Sequence, residues 1–213
     1  NFHDIIKNNL ILKFKNKIYP HSVMFHHFHD DIHPKSQGSI NKIQFEKILD
    51  YLEKNFNLLG AREFSKKTID GNLEENDIVL SFDDALKCQF DVACPILDKR
   101  KISSFFFIYS SPFKNEPDLL EVYRHFRHTC YEKINLFYDN FFNMVKQKNT
   151  KKYNSHFKKF SQIDYLKNYK FYTKEDKWFR YLRDKYLNNS EYAEVMAYLM
   201  EEKNFIKENY YRK

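Results

Sequence analysis

Asp77-Ile78-Val79-Leu80-Ser81-Phe82-Asp83-Asp84-Ala85 decides the fold. Its first six residues are dominated by β-branched and large apolar side chains, which predicts a strand over Asp77–Phe82 buried on both faces. The strand runs straight into two adjacent carboxylates. Two acids at the end of a buried strand are costly unless something pairs with them, and in barrel-like α/β proteins the C-terminal ends of the strands are where active sites are built. A metal ion is the natural partner. One carboxylate can ligate it while its neighbour, pointing differently, takes a proton from bound water. The plain alternative is a helix N-cap, with Asp84 capping a helix that starts near Leu86.

Working outward, Leu86–Lys99 reads as a helix with Pro95 as a kink. Ile102–Tyr109 (ISSFFFIY) reads as a further apolar strand. Upstream, Ser22–Phe28 (SVMFHHF) reads as a buried strand ending in a polar cluster, followed by a loop through Pro34 and Gly38. Asn41 with Gln44 three residues on has the pattern of a capping box, flanked by Ile40 and Phe45 as a hydrophobic staple. Phe45, Ile48, Leu49, Leu52 and Phe56 then repeat at helical spacing. A short strand is expected around Leu58–Ala61. Apolar strands alternating with helices imply a parallel sheet and an α/β class.

Gly and Pro punctuate only the first half of the chain, up to Pro117. From Asp118 to Lys213 neither occurs, so helix is the default there. The chain divides into a mixed α/β region over 1–115 and an all-helical region over 116–213. Apolar stripes recur over Leu119–Val145, Phe157–Leu166, Trp178–Leu187 and Tyr192–Met200 and read as packing surface. A helical end is expected over Phe205–Lys213.

The 213 residues can bury a real core, and at 42% hydrophobic the chain is not of disordered composition. Its net charge of +7 is uneven: +1 before Glu116 and +6 after Asn115, with nine Lys against the single acid Asp164 between Met144 and Lys174. Such a face can attract nucleic acid, anionic lipid or an anionic glycan, although a solvated helix surface is the commoner meaning. No nucleic-acid recognition motif accompanies it. Three Cys without metal-ligand spacing imply free thiols in a reducing compartment, hence a cytoplasmic location. No apolar run approaches the roughly 20 residues that span a bilayer.

Two histidine groups add to the acidic pair. His26, His27, His29 and His33, with Asp30 and Asp31, crowd eight positions after the first strand, and imidazole with carboxylate suits zinc-like ions. Strand alternation puts His27 and His29 on one face and His26 on the other. His125 and His128 are an i,i+3 pair on a helix, which can share a metal or be ordinary surface.

These residues carry a resemblance. Over roughly 21–113 the chain resembles the polysaccharide deacetylases with a NodB-type domain, carbohydrate esterase family four. The matching pieces are Val23-Met24-Phe25-His26, Gln44-Phe45 with its helix, Ser81-Phe82-Asp83-Asp84-Ala85, and Ile102–Tyr109. The stretch His33–Ile40 also resembles a subgroup encoded with surface-polysaccharide biosynthesis genes. The resemblance implies the N-terminal part of a deformed (β/α) barrel, followed by a large all-helical insertion or extension. It implies a divalent metal, usually zinc, and removal of acetyl groups from an N-acetylated glycan or sugar precursor. Asp83 is then the general base, Asp84 a metal ligand, and His26 part of the same pocket. Ala85 stands where the family has Gly. The family's second motif, His-Ser/Thr-x-x-His, which supplies both metal histidines, does not occur. Either the barrel continues past Lys213, which is the favoured expectation, or the chain is a catalytically inactive glycan-binding or partner-binding module.

Overall fold

The computed structural model describes residues 13–14, 17–114, 116, 118–207 and 209. It divides into two compact units, Asn1–Asn115 and Glu116–Lys213.

The first unit is α/β. A short antiparallel pair, β1 (Lys13–Phe14) and β2 (Lys17–Ile18), precedes a four-stranded parallel sheet. In that sheet β5 (Asp77–Phe82) is the hub. It pairs along its length with β3 (His21–Phe25), at its start with β4 (Asn57–Leu58) and at its end with β6 (Phe105–Phe106). All six residues of β5 are buried, as its apolar run predicts. Among the described residues the sheet does not close on itself, so the unit is a partial α/β fold.

Helix α1 (Lys42–Asn55) begins where local chemistry places it. Gln44 N–H donates to Asn41 Oδ1 at 2.9 Å, and Asn41 N–H donates to Gln44 Oε1 at 2.9 Å, completing a capping box. Its apolar stripe of Phe45, Ile48, Leu49 and Leu52 packs in one core with Val23, Phe25, Phe28, Leu80 and Phe82. At the centre of that core Phe45 meets Phe25 and Phe28 edge-on at 5.1 Å, while Phe82 stacks on Phe25 at 5.5 Å and on Phe106 at 4.6 Å.

Several expectations need adjustment. Helix α2 (Ala61–Ile69) follows β4 where a strand to Ala61 was expected. The expected helix over Leu86–Lys99 is a π-helical turn, Gln89–Ala93, leading into α3 (Cys94–Arg100), with Pro95 in the first turn of α3. The helical run is continuous from Lys87, so Pro95 lies inside it, and the π-helical turn directly before it is the departure from α geometry that a proline without an N–H to donate brings, in keeping with the expected kink. Of the strand expected over Ile102–Tyr109, Phe105–Phe106 pair with β5, Phe107 N–H donates to Phe82 O at 2.8 Å, and Ser103 O accepts from Ala61 N–H at 3.0 Å. Its apolar residues Phe107 (57% exposed) and Ile108 (59%) are open to solvent, not buried on both faces.

The second unit is helical: α4 (Leu119–Thr129), α5 (Ile134–Lys148), α6 (Thr150–Ser161), α7 (Lys174–Tyr181), a π-helical turn over Leu182–Tyr186, and α8 (Asn189–Glu202). Asp118 caps α4, its carboxylate accepting from Leu120 N–H at 2.8 Å. The stripe Leu119–Val145 spans two helices, broken between Thr129 and Ile134. Helix α5 packs against α4, α6, α7 and α8 around a core in which Phe126, Phe137, Phe141 and Phe179 are fully buried. Beneath them, the buried Asp176 carboxylate accepts from Tyr138 OH, and burial first, then that acid, pushes the Tyr138 phenol well above its ordinary value. Of the expected helical end Phe205–Lys213, Phe205–Lys207 are not helical, while residues 208 and 210–213 lie outside the described residues, as does Pro117.

Candidate active site

The parallel register of β3 and β5 places Met24 beside Ser81 and Phe25 beside Phe82, so the residues following each strand emerge together at one end of the sheet. Asp83 N–H donates to Phe25 O at 3.2 Å. One residue further on each chain, His26 Nδ1 lies 2.8 Å from Asp84 Oδ2. Both side chains are partly open, 40% for His26 and 31% for Asp84. Asp83 and Asp84 line an open cleft of about 470 Å³ together with Met24, Ser81, Phe107, Ile108 and Tyr109. The sequence-predicted residues Asp83, Asp84 and His26 therefore meet at the C-terminal ends of adjacent strands.

The backbone at this turn is unusual. Asp84 has φ 76° and Ala85 φ 50°, two successive non-glycine residues in the left-handed region. The helical segment begins after Leu86, and the Asp84 carboxylate is committed to His26, so the N-cap alternative for Asp84 is not what the chain adopts.

The histidine cluster is dispersed. His29 N–H donates to Ile40 O at 3.0 Å, and His29 Nδ1 sits 2.9 Å from Ser39 Oγ. Burial, with nearby Lys35, lowers the His29 pKa. His33 Nε2 lies 2.8 Å from Asp91 Oδ2, and Lys87 pairs with the same carboxylate. The Lys87 bond, then His33, hold the Asp91 pKa below its ordinary value. Asp30 Oδ1 accepts from the Ile32 and His33 amides and closes the turn. These residues fasten the loop after β3. His125 and His128 lie on α4 in the other unit. Among the described residues no group of three His, Cys, Asp or Glu side chains is placed to hold a metal ion.

A zinc site needs about three protein ligands. Here Asp84 and His26 are a carboxylate and an imidazole of the right chemistry, but they are two, and they are bonded to each other. The described residues do not by themselves fit the metal that the resemblance implies.

Sequence reasoning missed Gln89. It is 2% exposed, and its amide Nε2 donates to His26 O at 2.8 Å and to Asp83 O. One side chain thus ties both strand ends that carry the acid and the imidazole. A buried Gln needs partners for its amide, but nothing local in the sequence says that those partners are the two site loops. Ser22 Oγ, donating to Ser81 Oγ at 2.7 Å, ties the same two strands on the cleft face.

No family model matches the chain, and no curated protein matches it. Among solved structures, IcaB from Ammonifex degensii is similar at 26% identity, with 42% of this chain and 38% of that chain covered and a TM-score of 0.36. The match thus spans under two fifths of that structure's length. Among the described residues no helix is long and apolar enough to cross a membrane.

Proposed function

We propose that the first unit carries the front part of the catalytic centre of a hydrolase that removes acetyl groups from an N-acetylated sugar of a polysaccharide or its precursor. The observation that carries this reading is the juxtaposition of Asp83, Asp84 and His26 at the ends of two parallel strands, at an open cleft. Water adds to the acetamide carbon, the C–N bond breaks, acetate leaves and the sugar nitrogen takes up a proton. Asp83 is the general base that accepts the proton of the attacking water. The Asp84 carboxylate holds His26 through Nδ1 and so fixes the orientation of the imidazole. Gln89 fixes the two loops that carry them. Asp84 would be a donor to a divalent metal, zinc by the family resemblance, only together with ligands supplied from beyond the described residues, and His26 lines the same pocket.

That the described residues hold no full donor set favours a second reading, a deacetylase-like module that binds a glycan or a partner without turnover.

Acetate release from an N-acetylglucosamine oligomer, measured for the full protein with added zinc, separates the two. On the first reading wild type releases acetate, and Asp83→Asn lowers the rate about 100- to 10,000-fold, the usual worth of a general base, while zinc affinity is kept. Asp84→Ala loses the metal. Unaltered turnover in either variant overturns the assigned roles, and no release by wild type supports the binding module.

A further inference from the structure

The helical unit has a second cleft, of about 320 Å³, where the end of α6 faces the turns leading into α7. Its wall is aromatic, formed by Phe160, Tyr165 and Tyr172, and its polar groups include Ser161, Lys174 and Lys177. Lys177 is drawn to Asp164 on the same rim at 3.5 Å, while the exposed Lys174 forms no ion pair among the described residues. Under Tyr172 the Arg180 guanidinium lies 4.1 Å from the ring centroid, and its buried Nε has no hydrogen-bond partner. Beside the cleft, Tyr169 (47%) and Phe171 (53%) are exposed, although burying such rings is worth about 1.5–3 kcal/mol each. The surrounding stretch from Met144 to Lys174 holds nine Lys and one acid.

We propose that this cleft is a binding subsite for an anionic, N-acetylated glycan, and this rests on the glycan reading of the first unit. Two features of the cleft select that chemistry. The C–H face of a pyranose ring is apolar and lies flat on an aromatic side chain, and pockets that recognise such ligands are aromatic with a few placed polar groups. Lysines at the rim then meet a carboxylate or sulfate carried by the sugar. Rings outnumber unpaired cations in this cleft. That proportion suits a polymer in which charged sugars alternate with neutral ones better than a nucleic acid, which brings a phosphate with every unit.

Trp178 supplies a reporter. It is 3% exposed, so solvent does not reach it directly, and its ring sits 5.0 Å from Phe160 of the cleft wall. Tryptophan fluorescence and calorimetry of the whole chain, titrated with a hyaluronan oligosaccharide (N-acetylglucosamine alternating with glucuronate), test the proposal. A neutral N-acetylglucosamine oligomer and oligo-dT serve as comparators. Hyaluronan is expected to bind most tightly and to weaken as salt rises. The double substitution Lys174→Gln/Lys177→Gln should lower its affinity about tenfold, and Tyr172→Leu should lower the affinity for both sugars, with far-UV circular dichroism unchanged. Equal affinity for the neutral oligomer overturns the anionic specificity. Oligo-dT binding as tightly as hyaluronan overturns the sugar assignment. Failure to bind hyaluronan overturns the subsite altogether. Acetate release is scored separately: binding without release sinks the hydrolase reading alone, and release without binding sinks this inference alone.

Discussion

Asp77 opens β5 and is the residue whose removal should most clearly expose how this sheet is anchored. It is fully buried, yet it is a carboxylate. Its Oδ2 accepts the Glu74 amide at 2.9 Å and lies 2.8 Å from Lys67 Nζ, and its Oδ1 accepts from Asn57 Nδ2 at 2.5 Å. Burial alone would raise its pKa, but the Glu74 amide, Lys67 and Asn57 together outweigh burial and hold it below the ordinary carboxylate value. Hydrogen bonds to a charged group contribute about 1.5–3 kcal/mol each. Glu74 and Asn57 are otherwise exposed, so water recovers part of what they lose. Asp77→Ala should therefore destabilise the first unit by about 3 kcal/mol at neutral pH. The sign with pH follows from the depressed pKa. The contribution is complete above the unfolded value of about 3.9 and is lost as pH falls through the lower folded value. Urea unfolding followed by far-UV circular dichroism, wild type against variant, reads both effects. Trp178 fluorescence reports the other unit and serves as the control. A difference below about 1 kcal/mol at neutral pH, or one that persists undiminished in strong acid, would refute the argument.

Phe82→Ala removes the ring that stacks on Phe25 and Phe106 and packs edge-on against Phe45, and should cost about 3–5 kcal/mol by urea unfolding. Ala85→Gly relieves a φ of 50° and should stabilise the first unit by up to about 1 kcal/mol in thermal unfolding, the left-handed penalty less the entropy of glycine. Tyr138→Phe leaves the buried Asp176 carboxylate without its phenol donor and should cost about 1–3 kcal/mol, read by Trp178 fluorescence during urea unfolding.

How much was legible in the sequence depends on how local the cause is. The strand Asp77–Phe82 and the start of α1 at Asn41 are observed where they were expected, because an apolar run and a capping box carry their own instructions. Strand β6 is far shorter than its apolar run because a strand extends only as far as a partner pairs with it, and β5 ends at Phe82. Helix α2 went unread because none of its residues is buried, so no stripe marks it. The break between α4 and α5 has neither Gly nor Pro to announce it, and the path of the chain there is set by what Tyr131 and Phe137 pack against.

At the site the division is sharper. Residue types and their place at a strand end pointed to Asp83 and Asp84, the family resemblance added His26, and the parallel register of β3 with β5 supplies the reason they can meet. The same reasoning could not sort His26 from His27, His29 and His33, since all four lie within one short loop. The sorting is done by partners distant in sequence: Asp84 for His26, and Asp91 for His33. Gln89 belongs to the same class. Its amide reaches back 63 residues to the His26 carbonyl and 6 to that of Asp83. The turn it braces holds two consecutive non-glycine residues at positive φ, a conformation that costs roughly 1–2 kcal/mol per residue. Residues held against their backbone preference persist only where the surroundings over-determine them. Here the Gln89 amide, the Phe25 carbonyl and the His26 imidazole all converge on Asp83-Asp84. The strain falls on Asp84 and Ala85 and its bracing on Asp83 and Asp84, so the unusual backbone starts within the acidic pair that the sequence singled out for chemistry.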